Sequence, residues 1–107
     1  MANAKYTAGR AAEYQIRDLY KERGFKVVRS AGSKTKIDLV ALHKCGVVIA
    51  IQVKRIKKGT QADVQRLVKE FLTNLPMETK DTPIVQMLHV KLNGKWQSTS
   101  VGDSRIA

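Results

Sequence analysis

The chain has 107 residues, 20 of them Lys or Arg against 9 Asp or Glu, for a formal net charge of +11, and a single cysteine. That length suits one domain with one hydrophobic core and excludes two. The lone Cys45 excludes an intrachain disulfide and a cysteine-based zinc site, leaving it to be read as a small buried or turn residue. No apolar run approaches the roughly 18 residues of a membrane span, and residues 1–10 lack the apolar centre of a signal peptide, so a soluble cytoplasmic protein with no membrane partner is expected. Residues 1–60 hold 14 basic and 4 acidic residues, residues 61–107 hold 6 and 5, so almost all the excess charge lies in the first part of the chain. A field concentrated on one side of a small domain attracts a polyanion, and nucleic acid is the usual one.

In chain order, Ala8, Ala12, Ile16, Leu19 and Tyr20 recur at spacings of three and four with charged residues between them, which predicts an amphipathic helix over 7–23, ended by Gly24. "FKVVRS" reads as a strand and "AGSKTK" as a polar loop. "IDLVAL" and "VVIAIQVK" are further strands around a turn at "HKCG". Both are apolar on two faces, as strands in the middle of a covered sheet are. Val64, Leu67, Val68, Phe71, Leu72 and Leu75 lie at helical spacing after Thr60. Pro76 and Pro83 bracket a loop, and "PIVQMLHVKL" and "KWQSTSV" form a closing hairpin around Asn93-Gly94. The expected fold is α/β: one compact domain with a central mixed five-stranded sheet flanked by helices, spanning residues 1–107, its core in 6–60 and a helix with the closing hairpin in 61–102.

The polar residues of the central strands stand out. Gln52 and Lys54 share a face because side chains alternate with period two. A hairpin symmetric about Cys45 sets Asp38 opposite Gln52. Burying a carboxylate, an amide and an ammonium group without partners costs several kcal/mol. Either they satisfy one another, as an Asp38–Lys54 ion pair at a strand edge, or they hold something. A phosphodiester substrate supplies one reason for the triad: neighbouring oxygens hold Mg²⁺, which takes its other contacts from water and phosphate, and a lysine beside it offsets charge in the transition state.

"GRAAEYQIRDLYKERGFKVVRSAGSKTKIDLVA" followed by "IAIQVKRIKK" resembles the archaeal-type Holliday junction resolvases of the PD-(D/E)xK nuclease superfamily, strongly over residues 9–58 and collinearly through "RLVKEF", "TPIVQ" and "GKWQSTSV". The resemblance implies a restriction-endonuclease-like nuclease core acting as a homodimer on four-way junction DNA, making paired Mg²⁺-dependent nicks that leave 5′-phosphates. By that likeness Glu13 is the helix-borne glutamate, Arg29 the basic residue ending the first strand, Ser33 the serine of the loop over the site, and Asp38 the metal aspartate. The E-x-K of the family falls on Gln52-Val53-Lys54. The catalytic set is then Glu13, Ser33, Asp38, Gln52 and Lys54, with Glu13, Asp38 and Gln52 toward the metal.

Gln52 departs from the glutamate usual at that position: it keeps a carbonyl oxygen for a hard cation and removes one negative charge, which weakens the site and favours Mn²⁺ beside Mg²⁺ as activator. Tyr14 is a second departure, where the family often has arginine, with Arg10 and Arg17 near enough in sequence to supply the charge. Lys5, Arg10, Arg29, Lys34, Lys36, Arg55, Lys57 and Lys58 are the expected DNA-binding residues, which give position and affinity without reading bases. His43, His89 and Trp96 are read as structural, and Phe71 and Leu72 as core or dimer surface. Beside the nuclease stand two other readings: a branched-DNA-binding protein whose catalysis is impaired by Gln52, and a general basic nucleic-acid binder.

Overall fold

Ala12, Ile16 and Tyr20 recur every four residues and so lie on one stripe of a helix; in the computed structural model they are the buried face of α1, Ala4–Glu22. The structure describes residues 4–29, 37–74 and 84–101, and of residues 4–9 the backbone alone. α1 starts at Ala4 rather than residue 7, since Ala4 and Lys5 are good helix formers and extend it past the apolar stripe. It ends in a Schellman pair, with the Gly24 N–H donating to the Lys21 carbonyl at 3.1 Å and the Phe25 N–H to the Tyr20 carbonyl at 3.0 Å.

The remaining elements are β1 (Lys26–Arg29), β2 (Leu39–Leu42), β3 (Val48–Ile56), α2 (Gln61–Thr73), β4 (Ile84–Leu92) and β5 (Lys95–Val101). Their spatial order is β1-β2-β3-β4-β5. Neighbours pair antiparallel except β3 and β4, which run parallel and are joined through α2. This is the expected mixed five-stranded sheet. The loops expected at "AGSKTK" and between Pro76 and Pro83 lie outside the described residues.

Alternation along β3 divides the core between the two faces of the sheet. Ile49, Ile51 and Val53 join Leu39, Ala41 and Val85 beneath Ala12, Ile16 and Tyr20 of α1. On the opposite face Val64 and Phe71 of α2 close on Leu88 and Val90. Phe71 is therefore core, whereas Leu72 is 47% exposed. The same alternation puts Ala50, Gln52 and Lys54 on the α2 face.

The β2–β3 turn sets which residues meet. Gly46 takes φ +99°, a conformation that disfavours a side chain. Its N–H donates to the His43 carbonyl at 2.9 Å, and the His43 N–H to the Val47 carbonyl at 3.0 Å. The resulting register pairs Leu39 with Ile51 and Leu42 with Val48, symmetric about Cys45 as expected. Cys45 is exposed in this turn, its Sγ 2.9 Å from His43 Nδ1. Asn93 and Gly94 form the second hairpin turn with φ 50° and 85°, the two positive values of a type I′ turn.

The junction from β3 into α2 is tight. The Thr60 N–H donates to Asp63 Oδ2 at 2.8 Å, the carboxylate half of a capping box. A Cβ at Gly59 would stand 2.6 Å from both Asp63 Oδ2 and Ile56 Cγ2. Gly59→Ala must displace the cap or the strand end, and urea unfolding is expected to show a loss of about 1–3 kcal/mol, the usual cost of overpacking.

His89 is buried between α1 and β5. Its Nε2 lies 2.9 Å from the Tyr20 hydroxyl and its Nδ1 2.7 Å from Ser98 Oγ, so both ring nitrogens are satisfied. Trp96 sits half-buried with its ring edge-on to His89, and both are packing residues, as read from the sequence. Burial holds the imidazole neutral, its pKa lowered from 6.5 to about 4. Between those values the unfolded chain binds a proton that the folded chain does not, so stability present above pH 6.5 is lost as pH falls toward 4. Thermal unfolding across that window is expected to show a falling midpoint in the wild type and a flatter one in His89→Phe.

Candidate active site

Asp38 precedes β2 by one residue, and its N–H donates to the Ile51 carbonyl at 2.8 Å. The ladder ends at Leu39 opposite Ile51, so Asp38 reaches the residue already facing Leu39 and the Asp38–Gln52 rung expected of a symmetric hairpin does not form; the two side chains meet instead as neighbours lining one cavity. The Asp38 carboxylate turns to the neighbouring strand, where Oδ2 accepts the Val53 N–H at 2.8 Å. Burial raises the Asp38 pKa, opposed by the Val53 hydrogen bond and by the charges of Lys54 and Arg29. No Asp38–Lys54 contact occurs among the close ion pairs of the described residues. The bland alternative of an edge ion pair is therefore not what this carboxylate makes.

Gln52 is 7% exposed, and its side-chain amide makes no hydrogen bond to another described residue. It opens instead on a cavity of about 190 Å³ between the sheet and α2, shared with Asp38, Lys54, Glu70 and Asn74. Leu67, Phe71 and Leu88 form its apolar wall.

Glu13 comes from the other side of the sheet. Its Oε1 lies 3.6 Å from Arg29 Nε at the end of β1. Burial, then the Asp38 charge, raises its pKa, against Arg29 and Arg10. Glu13 thus feels the charges of Asp38, Arg29 and Arg10, and Asp38 that of Arg29, although Glu13 does not line the cavity. Arg17 stacks 4.5 Å from the centroid of Tyr14, which returns a positive charge to that position. Arg55, Lys57 and Lys58 are exposed at the exit of β3. Lys5 is described by its backbone in α1, and Ser33, Lys34 and Lys36 lie outside the described residues.

Among the described residues no three His, Cys, Asp or Glu side chains group as metal ligands. A divalent cation fits this chain only if the Gln52 carbonyl oxygen serves beside the carboxylates, with water and phosphate completing the shell, the mode Mg²⁺ commonly takes. The unbonded Gln52 amide, which lines the same cavity as Asp38, meets that condition. Glu70 and Asn74 line the cavity without having been singled out in the sequence. Their spacing from Leu67 and Phe71 placed them on a shared helix face, but nothing local said which sheet residues that face would cover.

The structure thus has a mixed sheet with a helix on each face and an aspartate, an amide and a lysine about one cavity. The archaeal Holliday junction resolvase (Hjc) family matches residues 4–100, and the chain belongs to this family. Among solved structures the fold is similar to that of Archaeoglobus fulgidus Hjc, a Holliday junction resolvase from an archaeal hyperthermophile, with a TM-score of 0.53 and 19% identity over 92% of this chain and 87% of that one. No curated protein matches the chain.

The raised Asp38 pKa has a consequence for stability. Below its unfolded value the carboxyl is neutral in both states; as pH rises through the folded value the buried charge disfavours the fold. With a chelator present, Asp38→Asn is expected to raise the thermal midpoint at neutral pH, at about 4–8 °C per kcal/mol recovered in a domain of this size, and the difference should vanish in acid.

Proposed function

We propose that this protein is a structure-selective endonuclease that resolves four-way DNA junctions by paired, divalent-metal-dependent phosphodiester hydrolysis. The observation that carries the reading is the unbonded amide of Gln52 in the cavity it shares with Asp38 and Lys54, in a chain of the Hjc family. The residues that would hold Mg²⁺ or Mn²⁺ are Asp38 and Gln52, with Glu13 nearby. When bound, such a cation acidifies water and neutralises charge on the scissile phosphate.

The chain's own groups account for the rest. Asp38 is held in place by the Val53 N–H, which leaves its other oxygen without a partner among the described residues. The Lys54 ammonium borders the cavity, where it orients the attacking water and offsets charge that develops on the phosphate oxygens. The water oxygen bonds to phosphorus, the P–O3′ bond breaks, and the departing 3′ oxygen takes up a proton, leaving a 5′-phosphate. Arg55, Lys57 and Lys58 track the DNA backbone beside the site, together with Lys5, Arg10, Arg29, Lys34 and Lys36, and Ser33 joins the catalytic set by the family likeness. The affinity is expected to fall steeply with salt.

A junction presents two equivalent strands and one chain carries one such site, so two symmetric cuts call for a twofold pair. The exposed Leu72, beside a groove lined by Val68 and Val90, supports a self-association surface on the less basic part of the chain.

Labelled synthetic four-way junctions, tested beside their linear arms with Mg²⁺, Mn²⁺ and no metal, provide the test. Paired nicks on opposite strands of the junction alone are expected, reduced about 100-fold or more in Asp38→Asn, the scale of losing one group that stabilises transition-state charge. Tight junction binding without cleavage under any metal would overturn the enzymatic reading.

A further inference from the structure

The cavity contains an acid that the triad does not use. Glu70 lies on α2, exposed at the edge of the helix face that Val64 and Phe71 bury, and lines the cavity with Asp38, Gln52 and Lys54. We propose that Glu70 supplies, from the helix, the second acidic group that Gln52 no longer supplies from the strand, so that Asp38, the Gln52 carbonyl and Glu70 together form the divalent-cation site. This rests on the metal-dependent nuclease reading and goes beyond it by adding a ligand from α2.

Three observations converge on it. Gln52 is 7% exposed as a residue, and its amide, unbonded among the described residues, opens on the cavity, where it is available to a ligand. The Glu70 carboxylate makes neither an ion pair nor a hydrogen bond with a described residue; only its main-chain carbonyl is engaged, by the Asn74 N–H at 3.0 Å and Asn74 Nδ2 at 3.3 Å. Finally, Glu70 stands in the last turn of α2, which carries no basic residue. The carboxylate there adds to the negative end of the helix dipole, an arrangement that is unfavourable alone and favourable around a cation.

The charge count supports the same assignment. An aspartate and a glutamate on the two strands would bring two negative charges to the cation; Asp38 and Glu70 bring the same two, while the Gln52 oxygen remains a neutral donor for a hard ion. Glu70 acts directly or through a coordinated water. Its contribution differs from that of Glu13, whose carboxylate faces Arg29 and lies outside the cavity.

The test is Mn²⁺ uptake by the DNA-free full-length chain, read by electron paramagnetic resonance of the free ion and by calorimetry, for wild type, Asp38→Asn, Glu70→Gln and Gln52→Glu/Glu70→Gln, with junction nicking assayed in parallel. Glu70 is exposed and glutamine is an equally good helix former, so folding should be unaffected, which circular dichroism verifies. Glu70→Gln is expected to weaken Mn²⁺ binding by at least the roughly 10-fold that losing even an outer-shell partner costs, with a parallel fall in nicking. Restoring the strand carboxylate in the double variant should recover both. Wild-type Mn²⁺ affinity and nicking in Glu70→Gln, with both abolished in Asp38→Asn, would overturn the role of Glu70 and leave the nuclease reading standing. No specific Mn²⁺ uptake or nicking by the wild type would overturn the nuclease reading and this proposal with it.

Discussion

The hydrogen bond from the Val53 N–H to Asp38 Oδ2 holds the site together. Asp38 stands where the β2–β3 ladder ends, and its carboxylate takes the backbone donor that the next rung would have engaged. The bond tethers an ionisable side chain beside Gln52 at the edge of an otherwise apolar sheet. It also makes the chemistry depend on strand register. A slip of one residue would carry Gln52 and Lys54 to the α1 face, away from the cavity they share with Asp38. The turn closed by Gly46 is therefore part of the site, although it lies at the far end of the hairpin.

Around that register the two helices do different work. α1 covers the face formed by Ile49, Ile51 and Val53 and carries Glu13 to Arg29, so that a buried acid at the sheet edge is balanced by a guanidinium. α2 covers the opposite face, where its apolar residues Leu67 and Phe71 wall the cavity that Gln52 and Lys54 enter. Desolvation by these two layers raises the pKa of both Asp38 and Glu13, and the mutual repulsion of the pair adds to the shift of Glu13. Carboxylates destabilised in this way gain from a cation or from nearby arginines, and the surplus of basic residues in the first sixty positions supplies the field in which they sit.

In a chain of the Hjc family, an amide rather than a carboxylate at Gln52 changes the electrostatics more than the shape. Glutamine is nearly isosteric with glutamate and retains an oxygen donor, so the strand can keep its packing against Leu88 while the local negative charge falls. The compensation for that charge need not come from the strand. A helix crossing the same cavity can present a carboxylate at the height of its last turn, where the main-chain carbonyls already favour a cation.

The α/β order, the two-faced strands, the Asn93-Gly94 hairpin and the β2–β3 hairpin symmetric about Cys45 were all legible in the sequence, because each is set by local periodicity or by a turn a few residues long. So were the packing roles of His89 and Trp96, although the sequence did not show the Tyr20 hydroxyl meeting the imidazole across the fold. Phe71 and Leu72 were adjacent apolar residues with open roles until α2 was laid on β4, which buried one and left the other exposed. The choice between an Asp38–Lys54 ion pair and a carboxylate held by backbone was likewise beyond the pattern, since both are compatible with the same register. Glu70 shows the limit most clearly: helical spacing placed it on the face of Leu67 and Asn74, but which strand residues that face meets is decided by the parallel crossover from β3 through α2 to β4. Local sequence specifies which residues share a face; only tertiary packing specifies what the face looks onto, because contacts between elements far apart in the chain depend on how the whole core closes.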